Sequence, residues 1–219
     1  MKLHDADVIT AARAALAAAD PALAVADAAT PPFAWRLRPK GFSGLVKLVV
    51  EQQISVASAA ATWKRFEDGL GEVTPQAVLA HDVDALKAFG FSAPKARYAH
   101  AIAEAYIGGQ VNLEALGDLD DGAAIAALVS LKGIGRWTAE TYLLMNESRI
   151  DVFPGGDVAL QEALRIADGA AIRPTEKELY ARAEAWRPYR GVATHLLWAY
   201  YVGLKAGEIP LPVHTAAPS

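Results

Sequence analysis

Residues 128–142 are the most informative stretch of the chain and read Leu-Val-Ser-Leu-Lys-Gly-Ile-Gly-Arg-Trp-Thr-Ala-Glu-Thr-Tyr. The pattern predicts a helix, a tight turn around Gly133 and Gly135, and a second helix. The two glycines let the backbone turn sharply and leave bare N–H groups at the start of the second helix, where the helix dipole also favours an anion. Ile134, between them, is predicted to plug the turn into the core. The alternative is an ordinary helical hairpin in which glycine only ends a helix.

The composition limits the classes of protein to which the chain can belong. It has 219 residues, of which 53% are hydrophobic and 21% charged, enough for one large domain or two small ones. The 21 basic and 25 acidic residues give a net charge of −4, which excludes a strongly cationic nucleic-acid binder but not a local basic face. Cysteine is absent, so disulfides, thiolate zinc sites and cysteine-bound iron–sulfur clusters are excluded. The histidines show no metal-ligand spacing, and no zinc site is predicted.

Helical periodicity runs through nearly the whole sequence, and alternating strand patterns are hardly seen. We therefore predict an all-α fold with about ten helices. Pro21 is predicted to close the first helix, and three prolines between residues 30 and 40 forbid a continuous helix there.

The predicted domains are an N-terminal helix and irregular linker over residues 1–40, a main helical domain over residues 41–205, and a tail over residues 206–219. The sequence has neither a signal-peptide pattern nor an apolar segment of membrane-spanning length. We expect a cytoplasmic protein, associated with the nucleoid if it is bacterial, and no membrane partner.

A second motif follows the glycine turn. Pro154-Gly155-Gly156-Asp157 is a Gly/Pro-rich loop that delivers an aspartate to the head of the helix beginning at Val158. Aspartate after two glycines is well suited to cap a helix, and the helix dipole favours a negative charge at the same point. Asp157 is therefore a candidate for a structural cap, a catalytic carboxylate, or both.

These two motifs together resemble the signature of the helix-hairpin-helix–Gly/Pro–Asp superfamily of DNA glycosylases, and within it the 3-methyladenine DNA glycosylase II family. Three further stretches carry the resemblance, which spans about residues 40 to 205: Leu-Val-Val-Glu-Gln-Gln-Ile-Ser-Val-Ala at 48–57, Gly-Phe-Ser-Ala-Pro-Lys-Ala-Arg at 90–97, and Trp-Arg-Pro-Tyr-Arg-Gly-Val-Ala at 186–193. The resemblance implies two helical subdomains around a DNA-binding cleft, with a helix-hairpin-helix motif.

The activity that the resemblance implies is base-excision repair by a monofunctional DNA-3-methyladenine glycosylase. Such an enzyme flips an alkylated purine, for example 3-methyladenine or 7-methylguanine, out of duplex DNA and hydrolyses its N-glycosidic bond. Asp157 would stabilise the oxocarbenium-like transition state and activate water. Trp137 stands 20 residues before Asp157, where members that also cut the strand have a lysine, and tryptophan cannot form the Schiff base.

The resemblance also implies a set of site residues. Trp137, Trp198, Tyr142 and Thr141 are predicted to line a pocket in which aromatic rings bind a cationic base, and core packing is the alternative for each aromatic residue. Gln53 is predicted to be the wedge that fills the gap left by the flipped nucleotide, and a solvated polar residue in a turn is the alternative. The predicted DNA-binding residues are Gln52, Gln53, Ser55, Lys132, Gly133, Ile134, Gly135, Arg136 and Thr138. Lys95, Arg97, Lys132 and Arg136 are predicted to add positive charge to the same face, and an ordinary solvated charge cluster is the alternative. The backbone carbonyls of Val129, Leu131 and Ile134 are predicted to hold a monovalent cation, Na⁺ or K⁺, and no other cofactor is expected.

The predicted partner is duplex DNA with damaged bases, bound by a monomer. Three alternatives remain open at this point. One is a non-catalytic, structure-specific DNA-binding module in which Asp157 is only a cap. The second is a glycosylase for another lesion, such as hypoxanthine or ethenoadenine. The third, an oxidised-purine glycosylase that also cuts the strand, is disfavoured by Trp137.

Overall fold

A computed structural model describes residues 6–33 and 35–213, and every regular element in these ranges is a helix. The all-α prediction is confirmed. The helices are α1 (Ala6–Ala19), α2 (Pro21–Ala29), α3 (Gly41–Glu51), α4 (Val56–Leu70), α5 (Pro75–Leu79), α6 (Val83–Ala88), α7 (Ala93–Ile107), α8 (Asp121–Val129), α9 (Arg136–Met145), α10 (Val158–Ala167), α11 (Glu176–Ala183) and α12 (Arg190–Ala206), with 3₁₀ helices at Glu114–Asp118 and Glu184–Trp186. Within the described ranges, none of these helices has both the length and the apolar character that a membrane span requires.

The chain forms two compact units. Unit 1 contains residues up to 36 and from 148 onward, and unit 2 contains residues 37–147. The boundaries expected at residues 40 and 205 do not coincide with this division, because helices from both ends of the chain share the core of unit 1.

Unit 1 is built around α12, which packs against α1, α2 and α10. The helix α2 is absent from the sequence prediction, which treated Pro21 only as a stop. Proline is equally suited to the first position of a helix, and the Asp20 carboxylate caps α2 by accepting from the Ala22 N–H at 2.9 Å. Asp20 is buried and also accepts from Arg182 and from the Trp186 indole, so the same side chain ties α2 to α11 and the segment after it.

Unit 2 is built around α3, whose apolar residues are almost all buried, and α7 packs against α3, α5 and α6. The helices α8 and α9 pack on each other, and α9 also contacts α3. The Tyr142 hydroxyl accepts a hydrogen bond from the Gly41 N–H at 2.8 Å, and Asn146 donates to the Pro39 carbonyl. These bonds attach the entry to α3 to the end of α9.

Candidate active site

The turn between α8 and α9 is the glycine hairpin that the sequence predicts. Gly133 has φ +91°, and Ile134 is 4% exposed, so its side chain does plug into the core of unit 2. A Cβ atom on Gly133 would lie 2.3 Å from the ring of Tyr98, so glycine is required there both for its conformation and for its contact. Gly135 is the N-cap of α9 and supplies no side-chain cap, and the first N–H groups of this helix point outward from its positive end.

A groove of about 720 Å³ in unit 2 runs along this hairpin. It brings together seven of the predicted site residues: Gln52, Gln53, Gly133, Ile134, Gly135, Trp137 and Thr138. Lys95, predicted to add charge to this face, also lines it, and three residues that the sequence did not predict complete the lining: Ser92, Pro94 and Tyr98.

Gln52 and Thr138 bind each other in this groove. The Gln52 amide Nε2 donates to the Gly133 carbonyl at 3.3 Å and to the Thr138 hydroxyl at 3.1 Å. Thr138 is 3% exposed. Both residues were predicted to contact DNA, but the structure uses their side chains to brace the turn after α3 against the hairpin.

The turn after α3 presents Gln53 to solvent. Gln53 is exposed and has φ +57°, a left-handed conformation that residues other than glycine seldom adopt. The Lys95 ammonium lies beneath this turn and donates to the carbonyls of Val50 and Gln52, at 2.7 and 2.5 Å. Burial lowers the pKa of Lys95. Lys95 was expected to serve as a DNA-facing charge, but its main contacts are with the protein backbone.

The other predicted DNA-binding side chains lie on the surface of unit 2. Ser55 is exposed and caps α4 by accepting from the Ser58 N–H at 3.2 Å. Lys132 is exposed at the hairpin. The Arg136 side chain is 60% exposed and donates to Glu140, whose side chain is only 3% exposed, at 2.9 Å. Arg136 therefore compensates a buried carboxylate although its own side chain is more than half exposed.

Two residues of α9 do not fit the predicted base pocket. Tyr142 is fully buried, its hydroxyl is bonded to Gly41, and burial raises its pKa. The structure places this ring in the unit 2 core, whereas the sequence predicted that it lines the base pocket. Thr141 is 3% exposed, and its hydroxyl has no hydrogen-bond partner in the described part of the chain. Trp137, in contrast, is only partly buried and lines the groove.

Asp157 lies in unit 1, at the head of α10. Its Oδ1 accepts from the N–H groups of Ala159 and Leu160, at 2.8 and 3.2 Å, so the predicted cap is present. The side chain is neither fully buried nor fully exposed. Two main-chain bonds to one oxygen fix the direction of the carboxylate, as an electrostatic role in catalysis requires.

The loop before Asp157 is held by packing. A Cβ atom on Gly155 would lie 2.9 Å from the ring of Tyr180, so this glycine permits the loop to lie flat on that ring. Phe153 packs edge-on against Tyr180 and Trp186, with ring centroids 6.3 and 5.4 Å away. The aromatic contacts therefore set the position from which Asp157 starts α10.

Trp198 also lies in unit 1, on α12, and is 8% exposed. It lines a cavity of about 310 Å³ together with Arg36, His195 and Ile209. The His195 ring lies between two tryptophans, with centroids 4.9 Å from Trp35 and 5.6 Å from Trp198. The sequence prediction did not include His195, since a lone histidine in a helical pattern gives no signal of burial.

The burial of His195 predicts an acid-sensitive unit 1. Burial lowers the pKa of His195 to about 4, assisted by the charge of Arg36 and opposed by the carbonyls of Gly191 and Arg36. In the unfolded chain the ring titrates near 6.5, so the unfolded state binds more protons between these values. Stability is therefore expected to fall as the pH drops from about 6.5 to about 4, by up to about 3 kcal/mol from this residue.

Urea unfolding at pH 7.5 and at pH 4.5 measures this effect. His195→Leu is expected to remove most of the loss, whereas His100→Leu, which changes a partly exposed histidine beside Glu104, is expected to retain it. An equal loss of stability in the wild type and in His195→Leu would contradict the assignment.

The comparisons with known proteins agree with this geometry. Residues 46–188 match the family described as HhH-GPD superfamily base excision DNA repair protein. The chain is 32% identical over 161 residues to DNA-3-methyladenine glycosylase 1 of Schizosaccharomyces pombe, covering 72% of this chain and 71% of that one. It is 30% identical over 164 residues to DNA-3-methyladenine glycosylase 2 of Escherichia coli, covering 70% of this chain and 55% of that one.

Solved structures show the same fold. The Schizosaccharomyces pombe 3-methyladenine DNA glycosylase in complex with abasic DNA superposes with a TM-score of 0.77 at 28% identity, covering 86% of this chain and 95% of that chain. A DNA-3-methyladenine glycosidase from Bacillus halodurans gives a TM-score of 0.78 at 28% identity, covering 95% of this chain and 94% of that chain. With its glycine hairpin and its capped aspartate, this chain belongs to the HhH-GPD superfamily of base excision DNA repair proteins.

Proposed function

We propose that this protein is a DNA-3-methyladenine glycosylase that removes alkylated purines from duplex DNA and leaves an abasic site. The observation that carries the proposal is the Asp157 carboxylate, held by two main-chain N–H groups at the end of a packed Gly/Pro loop. Asp157 follows a glycine hairpin, as in the HhH-GPD superfamily. Two relatives of this chain, 32 and 30% identical to it, are 3-methyladenine glycosylases.

The proposed mechanism uses Asp157 as an electrostatic catalyst. As the bond between sugar and base breaks, positive charge builds on the sugar, and a fixed carboxylate stabilises that charge. The same carboxylate orients and deprotonates the water that attacks the sugar carbon. Alkylated purines are cationic and leave readily, and an aromatic wall such as Trp137 or Trp198 binds a cationic base through its ring face.

In this proposal the hairpin and the turn that carries Gln53 bind the DNA. The N–H groups at the start of α9 bind a backbone phosphate without reading sequence, with exposed Lys132 and Arg136 beside them. Gln53, exposed on its turn in the same groove, enters the base stack when the damaged nucleotide leaves it.

We also propose a monovalent cation at the hairpin. Val129 is the last residue of α8, where helix carbonyls lack intrahelical partners, and Leu131 and Ile134 lie in the turn that follows. Backbone carbonyl oxygens of this kind suit Na⁺ or K⁺. The ion would supply positive charge that braces a phosphate on the hairpin.

The proposed reaction leaves the DNA strand intact, because Trp137 occupies the position of the lyase lysine and has no amine. We expect the protein to release 3-methyladenine and 7-methylguanine from methylated duplex DNA. The strands should break only after alkali, and borohydride should trap no covalent complex. The measurement combines chromatography of released bases with a denaturing gel before and after alkali.

The same experiment separates the alternatives. Strand breaks without alkali, or a borohydride-trapped complex, would favour a glycosylase that also cuts the strand. Tight DNA binding with no released base would favour a non-catalytic binding module. Duplexes with a single hypoxanthine or ethenoadenine, assayed in parallel, define the lesion range.

A further inference from the structure

We propose that Lys95 is a positioning residue for nucleotide flipping, which acts by holding the backbone of residues 50–52 so that the Gln53 turn keeps a fixed place beside the hairpin. The proposal rests on the proposed function, since flipping is the step that it serves. Lys95 itself acts through the backbone of the turn and has no role in the bond cleavage.

The ammonium of Lys95 acts as a cap for the end of α3. The last carbonyls of a helix have no intrahelical donor, and the helix dipole favours a positive charge there. Lys95 reaches from the first turn of α7 and donates to the Val50 and Gln52 carbonyls, at 2.7 and 2.5 Å. Hydrogen bonds from a charged donor are stronger than those between neutral groups.

The turn that Lys95 supports has a backbone conformation that depends on neighbouring contacts. Gln53 is held at φ +57°, a conformation that is disfavoured for a residue with a Cβ and is kept only when neighbouring contacts fix it. Gln52, immediately before it, is fixed at its carbonyl by Lys95 and at its side-chain amide by Gly133 and Thr138. Two independent sets of hydrogen bonds therefore hold Gln52, which directly precedes the proposed wedge residue Gln53.

These hydrogen bonds join the turn that carries Gln53 and the glycine hairpin into one rigid element. Gly133 both accepts from Gln52 and belongs to the turn that binds a phosphate. When the hairpin binds a phosphate of the DNA backbone, these contacts therefore fix the position of Gln53 relative to that phosphate. Without the Lys95 tie the hairpin would still bind DNA, but the wedge would enter the base stack less often.

The test compares Lys95→Met with Arg97→Met, because each removes one positive charge from α7. Arg97 is exposed, whereas Lys95 is partly buried in the groove. The readouts are the single-turnover excision rate, the fluorescence of a 2-aminopurine placed next to the lesion, and the Kd for a duplex with an abasic site. We expect Lys95→Met to lower the excision rate and the fluorescence gain by about tenfold, with Kd changed no more than by Arg97→Met.

A substrate that lacks the base opposite the lesion provides a rescue. Flipping costs less there, so the rate defect of Lys95→Met should shrink to within about threefold of the wild type. A defect that persists on this substrate would show that Lys95 acts on the chemical step, and it would overturn the proposal. Equal rate and affinity losses in Lys95→Met and Arg97→Met would also overturn it, by reducing Lys95 to a surface charge.

Hydrogen exchange of the free protein tests the tie without DNA. Amides of residues 51–54 should exchange faster in Lys95→Met and in Gln52→Met, which cuts the second tie, but not in Arg97→Met. If Lys95→Met does not fold, Gln52→Met still tests whether fixing residue 52 positions Gln53, because it removes the hydrogen bonds to Gly133 and Thr138. If the wild type releases no base, the proposed function fails, whereas exchange and 2-aminopurine fluorescence still decide the role of Lys95. Unchanged exchange in both variants would overturn the proposal.

Discussion

Replacing Asp157 with asparagine is expected to lower the excision rate by about 10²- to 10³-fold while the protein still folds and binds DNA. The amide keeps the shape of the side chain and still accepts the N–H bonds of Ala159 and Leu160, because asparagine and aspartate are equally good N-caps. The amide has no negative charge, however, and can neither stabilise a cationic sugar nor take a proton from water. Single-turnover excision, the melting temperature and the Kd for abasic duplex DNA separate these effects.

Two further variants isolate the charge from the cap. Asp157→Ala is expected to lose the activity and, in addition, about 1 kcal/mol of stability, because the cap of α10 is lost. Asp82→Asn makes the same chemical change at the cap of α6, where Asp82 accepts from the Ala85 N–H at 2.8 Å, and should leave excision unchanged. If Asp157→Asn excised bases at the wild-type rate, Asp157 would be a helix cap and no more.

Local signals in the sequence were enough to predict most of the helices and the hairpin. Asp157 was expected to cap a helix beginning at Val158, and its side chain accepts main-chain hydrogen bonds in the structure. The spacing of the glycines predicted the turn at Gly133. Such local predictions succeed because φ and capping preferences depend on residues that are neighbours in the sequence. The missing helix α2 shows the limit of such signals, because Pro21 is compatible with the end of one helix and with the start of another.

The site was less predictable, because its contacts join residues far apart in the sequence. Gln52 and Gly133 are 81 positions apart, and Lys95 and Val50 are 45 apart. No local pattern shows that a lysine will bind backbone carbonyls instead of facing DNA. Tyr142, which is buried in the structure, shows a related limit: helical periodicity brings an aromatic residue to a buried face but does not distinguish a packed core from an open pocket.

Gly133→Ala is expected to destabilise the protein by roughly 2–4 kcal/mol and to weaken DNA binding at least tenfold. The added methyl group is disfavoured at φ +91° and would also lie 2.3 Å from the Tyr98 ring. Relief of either strain moves the N–H groups at the start of α9 away from their common direction, so the phosphate proposed to bind there would lose its donors. Urea unfolding and the Kd for abasic duplex DNA measure the two effects.

The neighbouring glycine and the Tyr98 ring provide the controls. Gly135 has ordinary negative φ and open space at its Cβ position, so Gly135→Ala should cost less than about 1 kcal/mol. Adding Tyr98→Ala to Gly133→Ala removes the clash but not the backbone strain, and only part of the stability should return. Equal stability of Gly133→Ala and Gly135→Ala would contradict the left-handed turn. If the double variant regains stability without regaining DNA affinity, the grip on the phosphate depends on the backbone conformation at Gly133 and not on the packing beneath it.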